Sequence, residues 1–86
     1  MEANNEHLIL YSNEKFESIL KGKTIVRIRR LSKDEMLFMG WYRNPLVIML
    51  DDKTQIILQS DDEGNDGGAG FIYNAETNVS ETIYTI

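Results

Sequence analysis

An acidic, glycine-rich segment at residues 61–70 contains the residue types best suited to binding a ligand. It has four carboxylates and four glycines in the run Asp61, Asp62, Glu63, Gly64, Asn65, Asp66, Gly67, Gly68, Ala69 and Gly70. The carboxylates could meet a basic partner, and successive backbone N–H groups at the glycines could form an anion-binding concavity. The alternative is an ordinary turn, in which the glycines supply positive φ and the acids are solvated.

The familiar calcium and phosphate motifs do not fit this chain. An EF-hand loop that starts at Asp62 would need a bidentate glutamate at its last position, where the sequence has Tyr73. Residues 21–24 resemble the end of a phosphate-binding loop, but the glycine that this motif requires before Gly22 is replaced by Glu17. We therefore expect no metal and no cofactor.

A second candidate for binding is a basic strip on the segment at residues 24–31. Arg27 and Arg29 alternate there with Val26 and Ile28, which is the period-2 pattern of a half-buried strand with its apolar residues in the core. The arginines could bind a carboxylate-rich partner, a phosphate or the acidic segment of the same chain. The alternative is a solvated strand face whose charges are paired within the chain.

Trp41 and His7 are the remaining residues with distinctive chemistry. Trp41 could stack on a base or ring, or it could pack in the core beside a proline turn. His7 is the single histidine and belongs to residues 1–7, which we expect to form a flexible tail, so it cannot hold a catalytic partner. Because the chain also lacks cysteine and any nucleophile–base pair, the sequence favours a noncatalytic protein.

Length and charge limit the classes of function. A chain of 86 residues encloses one core, so we expect a single domain over residues 1–86. Residues 1–45 carry eight basic and six acidic side chains, whereas residues 46–86 carry one basic and eight acidic, and the net charge of −5 argues against nucleic-acid binding. The longest apolar run is residues 46–50, too short to span a membrane. The lack of cysteine and of a signal-peptide pattern predicts a cytoplasmic location.

Two helical segments and five strands would position these residues. Capping residues Ser12 and Asn13 predict a helix over residues 13–21 that ends at Gly22. Ser32 and Glu35 have the spacing of a capping box and predict a short helical turn before Gly40. Strands are predicted at residues 24–31, 46–50, 55–60, 71–73 and 79–86, and the second and third of them should pair as a hairpin.

The order of these elements predicts an α+β fold. The connections between the later strands are too short for crossovers, so the strands should be mostly antiparallel. We expect a small curled sheet or an SH3-like barrel with one N-terminal helix and a short helical turn. Residues 82–86 alternate without a charge and would leave an exposed edge, so a homodimer through that edge is one hypothesis.

Four short segments resemble a family of small uncharacterised bacterial and phage proteins. They are residues 40–42, 45–48, 50–52 and 61–69, the last of which reads DDEGNDGGA. The resemblance covers residues 13–73, and residues 74–86 depart from the family pattern. It implies a bacterial or phage origin and a cytoplasmic location, and it implies no particular chemistry.

Two functional hypotheses follow. The first is a noncatalytic protein-interaction module, an inhibitor or accessory factor that acts through the acidic segment and an exposed sheet edge. The second is a small-ligand or nucleotide-binding domain whose pocket combines the glycines with Arg27, Arg29 and Trp41 at a dimer interface.

Overall fold

The computed structural model describes residues 2–86, with side chains from residue 5 onward. In chain order the elements are α1 (Glu2–Leu20), β1 (Ile25–Arg30), α2 (Lys33–Met39), β2 (Leu46–Leu50), β3 (Gln55–Ile57), β4 (Gly70–Asn74) and β5 (Val79–Ile83). One antiparallel sheet has the order β1-β2-β3, and β4 pairs with β5 in a second. The α+β class is confirmed, and the described strands form two sheets rather than one closed barrel.

α1 begins earlier than the sequence predicts. It starts at Glu2, so the start predicted at residue 13 is wrong, and residues 2–7, which were expected to form a flexible tail, belong to the helix; residue 1 lies outside the described residues. Residues 2–7 contain neither proline nor glycine, so nothing in them stops the helix. The C-terminal end is as expected, because Gly22 has a φ of 79° and the Lys21 N–H donates to the Glu17 carbonyl at 2.8 Å.

The predicted capping box at the start of α2 is confirmed. The Glu35 N–H donates to Ser32 Oγ at 3.1 Å, and the Ser32 N–H donates to Glu35 Oε1 at 2.8 Å. Gly40 ends the helix in the left-handed conformation, with a φ of 77°. These local signals set both ends of α2 without help from the rest of the fold.

The predicted hairpin between β2 and β3 is confirmed, but two strands are shorter than expected. β3 stops at Ile57, and beyond it Gln59 forms an isolated bridge with Gly67. β5 stops at Ile83, so the strand predicted to continue to residue 86 is wrong at its end. That end turns back onto its own chain, where the Asn44 N–H donates to the Ile86 carbonyl at 3.0 Å.

The buried core lies on one face of the three-stranded sheet. Its fully buried cluster consists of Leu31, Trp41 and Val47, with Met36 and Ile57 packed against it. Trp41 is 3% exposed. Trp41 therefore packs in the core, which was one of its two predicted roles. Its burial fixes the segment between α2 and β2, to which the acidic residues bind.

The burial predicted for the two faces of β1 is wrong. Val26 and Ile28 are exposed, whereas Arg29 is half-buried and lies opposite the core residue Val47 in the strand register. The physical reason is α2, because Glu35 binds the Arg29 guanidinium through both carboxylate oxygens, at 2.8 and 3.0 Å. This paired charge occupies the side of the sheet that carries the core.

Candidate functional site

The acidic loop, defined as residues 61–70, is docked on the segment between α2 and β2. Trp41 Nε1 donates to the Gly64 carbonyl at 2.8 Å. The Ser60 N–H also donates to the Asp66 carbonyl at 2.9 Å, which closes the base of the loop. The structure thus brings Trp41 and the acidic loop together, as the small-ligand hypothesis requires, but through the buried indole rather than an open ring face.

Asp66 is the main anchor of the acidic loop. Its Oδ1 accepts hydrogen bonds from the backbone N–H groups of Tyr42 at 2.9 Å, Arg43 at 3.0 Å and Gly67 at 2.8 Å. Desolvation raises the pKa of Asp66, but these three hydrogen bonds outweigh it and hold the pKa below its ordinary 3.8. The carboxylate of Asp66 is therefore occupied by hydrogen bonds within the chain.

Asp61 organises the tip of the same loop. Its Oδ1 accepts from the Glu63 N–H at 3.0 Å, and its Oδ2 accepts from the Asn65 side-chain amide at 2.8 Å. The hydrogen bond from that amide is the largest cause that lowers the pKa of Asp61, followed by the one from the Asn65 backbone. Asp61 and Asn65 form an Asx-type turn that shapes the loop.

Gly67 and Gly68 allow the acidic loop to pack closely on its neighbours. A Cβ placed on Gly67 would lie 2.6 Å from Pro45 Cδ, and one placed on Gly68 would lie 2.2 Å from the Gln59 carbonyl oxygen. The Gly68 N–H donates to the Leu58 carbonyl at 3.0 Å. Both glycines are buried, so their role here is close approach of the backbone rather than an open anion-binding concavity.

Besides Asp61, two further carboxylates of the acidic loop lie at the surface. Asp62 and Glu63 are exposed. Glu63 accepts one hydrogen bond through Oε1, from the Asn65 amide at 3.2 Å. These two side chains are the part of the predicted acidic site that is free to meet a partner.

The two arginines of the predicted basic strip differ in availability. Arg29 is held by Glu35, whose pKa falls from its ordinary 4.5 to about 2, mainly because of the hydrogen bond from Arg29. Arg27, two residues before Arg29 in β1, is exposed and lies opposite Met49. The predicted small-ligand pocket would require Arg29 to leave Glu35 and Trp41 to leave the core.

An exposed apolar surface on α2 was missed by sequence reasoning. Phe38 is 91% exposed and Tyr42 is 86% exposed. Beside Phe38 lies a groove of about 390 Å³, hereafter the α2 groove, which is lined by Leu31, Asp34, Glu35, Phe38, Met39, Gln55 and Ile57. A signal was present in the run of four apolar residues at 36–39, because a helix this short buries only one face and must expose the others.

Four carboxylates accept hydrogen bonds within the fold, and we therefore expect the stability of the fold to decrease in acid. The pKa values of Glu35 and Asp52 are lowered to about 2, in the latter case mainly by a hydrogen bond from Lys23, and those of Asp61 and Asp66 are also lowered. A carboxylate whose pKa is lower in the folded state than in the unfolded state stabilises the fold at pH values above the unfolded pKa. This stabilisation is lost as the pH falls through the folded-state pKa. We expect the urea midpoint to fall steadily as the pH drops from about 4.5 to about 2.

Glu35→Gln is the matched test of this pH dependence. It should lower the urea midpoint at neutral pH and leave it close to that of the unaltered chain at the acid end, because the native carboxylate is then protonated as well. Glu81→Gln, on the exposed face of β5, is the control and should shift neither value. An equal loss for Glu35→Gln at both pH values would contradict the assignment, since the loss would then not depend on the charge.

Residues 2–86 contain neither a helix able to span a membrane nor a cluster of metal-ligating side chains. Neither helix within residues 2–86 is long and apolar enough to cross a membrane. Over the same residues, no group of three or more His, Asp or Glu side chains is placed to hold a metal ion. The candidate site consists of the α2 groove and the exposed carboxylates of Asp62 and Glu63.

Comparison with known proteins gave no further assignment. No protein-family model, curated protein or solved structure matched the chain. The resemblance of the acidic loop to the bacterial and phage family stays a prediction, and the function must be argued from the geometry of the site.

Proposed function

We propose that this protein is a noncatalytic protein-interaction module that binds a partner through the α2 groove and the exposed carboxylates Asp62 and Glu63 of the acidic loop. The observation that carries this proposal is the exposure of Phe38 and Tyr42, two large aromatic side chains on one short segment. Aromatic residues are the usual anchors of protein interfaces, where they pack into the partner and exclude water.

The rim of the proposed interface is acidic. Asp34 and Glu35 line the α2 groove. Asp62 and Glu63 belong to the loop whose Gly64 carbonyl accepts a hydrogen bond from the Trp41 indole. A fitting partner segment would insert an apolar side chain beside Phe38 and place lysine or arginine near the carboxylates. Such a module would act as an inhibitor or an accessory factor of the protein that it covers, in a cytoplasmic setting.

The contacts inside the chain support this proposal over the small-ligand alternative. Arg29 and Trp41 both bind partners in the fold through their polar groups, Gly67 is packed against the Pro45 ring, and Gly68 is packed against the Gln59 backbone. By contrast, Phe38 and Tyr42 have no comparable use within the described chain, because their side chains remain almost wholly in solvent. Covering an apolar surface of this kind with a partner lowers the free energy of the system.

Affinity capture from a bacterial lysate, followed by binding measurements on the purified partner, tests the proposal. We expect the double variant Phe38→Ala/Tyr42→Ala to lose about 2 kcal/mol or more of binding free energy, which is about 30-fold in Kd, because anchor residues dominate interfaces. Asp62→Asn should have a smaller effect that disappears at high salt, since exposed charges are screened.

Tyr73→Ala is the matched control, because Tyr73 is also an exposed aromatic residue but lies on β4, away from the α2 groove. It should bind the partner like the unaltered chain. Unchanged affinity of the Phe38→Ala/Tyr42→Ala variant, with its circular dichroism intact, would show that the α2 surface is not the interface.

A further inference from the structure

α1 carries an apolar stripe that no other element of the described chain covers. Leu8, Ile9, Phe16 and Ile19 fall on one side of the helix, and all four are exposed. The substantial contacts between elements join β1 with β2, β2 with β3 and β4 with β5, and α1 takes part in none of them. In proteins, most of the stability of a helix comes from the packing of its apolar face, and α1 lacks such packing within the described chain.

The three-stranded sheet has an apolar face that the chain itself covers only in part. Ile28, Ile48 and Ile56 lie directly opposite one another across β1, β2 and β3, and we call them the isoleucine row. Neighbouring positions in each strand, such as Val47, point to the other face, where the core lies. Ile28 is 57% exposed, and the other two are half-buried.

The solvent-accessible surface of the chain is larger than that of a compact monomer, and the difference is the area that a second copy could bury. The accessible surface is 6975 Å², against about 5,200 Å² expected for a folded monomer of this mass. The radius of gyration is 15.1 Å, against about 12 Å for a compact chain of this length. The excess of about 1,800 Å² is more than twice the roughly 800 Å² that each partner buries in a standard interface.

The connection between α1 and β1 explains why α1 does not cover the sheet of its own chain. The turn is fixed by Gly22 in the left-handed conformation and by a hydrogen bond from the Lys23 N–H to the Leu20 carbonyl at 3.3 Å. Thr24 is held at the other end of the turn, because its carbonyl accepts from the Asp51 N–H at 2.9 Å. With these contacts in place, α1 makes no substantial contact with the sheet of its own chain.

We infer that the occupant of the isoleucine row is α1 of a second copy of this chain, and that the exchange is reciprocal. A helix with an apolar stripe and a sheet with an apolar face are the two halves of a two-layer domain, and each is present here without its other half. Reciprocal packing forms a closed twofold dimer, in which the helix stripe and the sheet face of each protomer are both buried. This interface differs from the α2 groove and leaves it free.

The absence of cysteine in the natural sequence allows a direct test. Phe16→Cys and isotope-labelled Ile28→Cys chains are prepared separately, mixed through mild denaturation, and treated with a short bis-maleimide. We expect dimers in sedimentation experiments and a cross-link that joins Phe16→Cys of one chain to Ile28→Cys of the other. Glu76→Cys, at the exposed turn between β4 and β5, replaces Ile28→Cys in the control mixture and should not be linked.

Two results would overturn the inference. One is a monomer at every soluble concentration. The other is a dimer in which Phe16→Cys links to Phe16→Cys and not to Ile28→Cys, because the helices would then pair with each other and leave the sheet uncovered. As a second measurement, Phe16→Glu should abolish the dimer, since it places a charge in the middle of the stripe, whereas Glu17→Gln on the same helix should preserve it.

Discussion

Replacement of Trp41 by alanine is expected to lower the free energy of unfolding by about 3–5 kcal/mol, the usual loss for a large aromatic residue removed from a core. Trp41 packs with Leu31 and Val47, and its indole N–H binds the acidic loop at Gly64. A domain of this length has a total stability of only about 4–13 kcal/mol. The variant should therefore be largely unfolded or close to it, as measured by urea unfolding with circular dichroism.

Trp41→Phe separates the two contributions of this residue. Phenylalanine keeps most of the apolar volume but cannot donate to the Gly64 carbonyl, so the expected loss is about 1–2 kcal/mol. If Trp41→Ala were to lose no more than Trp41→Phe, the hydrogen bond rather than the packing would be the main contribution. That result would contradict the place of Trp41 in the core.

Gly68→Ala is the second change with a large expected effect. The added methyl group would meet the carbonyl carbon and oxygen of Gln59 at 2.3 and 2.2 Å, which are backbone atoms that cannot rotate away. Either the acidic loop or the end of the hairpin must move, and we expect a loss of about 3 kcal/mol or more, at the upper end of overpacking costs. Thermal and urea unfolding of the variant provide the measurement.

Ala69→Ser is the control for this change, because the neighbouring position is exposed and tolerates a slightly larger side chain. It should unfold like the unaltered chain. Gly68→Ala with an unchanged unfolding midpoint would mean that the acidic loop is not closed against Gln59 in solution. The close approach on which the structural role of Gly68 rests would then be absent.

The elements that sequence reasoning predicted correctly are those specified by neighbouring residues. The capping box of Ser32 and Glu35 defines α2 within four residues, and the hairpin of β2 and β3 follows from two apolar runs around a short turn. Interactions of this kind depend little on the rest of the chain. They could be recognised without any knowledge of the tertiary structure.

The errors concern features that depend on distant residues. The orientation of β1 follows from the pairing of Arg29 with Glu35, and the alternating pattern alone does not show which side faces the core. The start of α1 carries no capping signal at Glu2, whereas Ser12 and Asn13 offered a false one inside the helix. Propensity at such positions is a weak guide when a helix simply continues.

The candidate site was predictable only in part for the same reason. The composition of the acidic loop identified it as distinctive, but Asp66 binds N–H groups that lie 23 and 24 residues earlier in the chain, and no local pattern shows such pairing. Phe38 looked like an ordinary member of an apolar helical turn. Its exposure became apparent only when the short helix was placed on the sheet.

The hydrogen bond between Trp41 and the acidic loop gives the protein a built-in optical reporter. Trp41 is the only tryptophan in the sequence, so the long-wavelength fluorescence of the protein comes from one indole ring. That ring is buried, and its N–H is bound to Gly64. The emission colour therefore records the environment of a single junction, where the loop, the short helix and the sheet meet, without any label having to be attached.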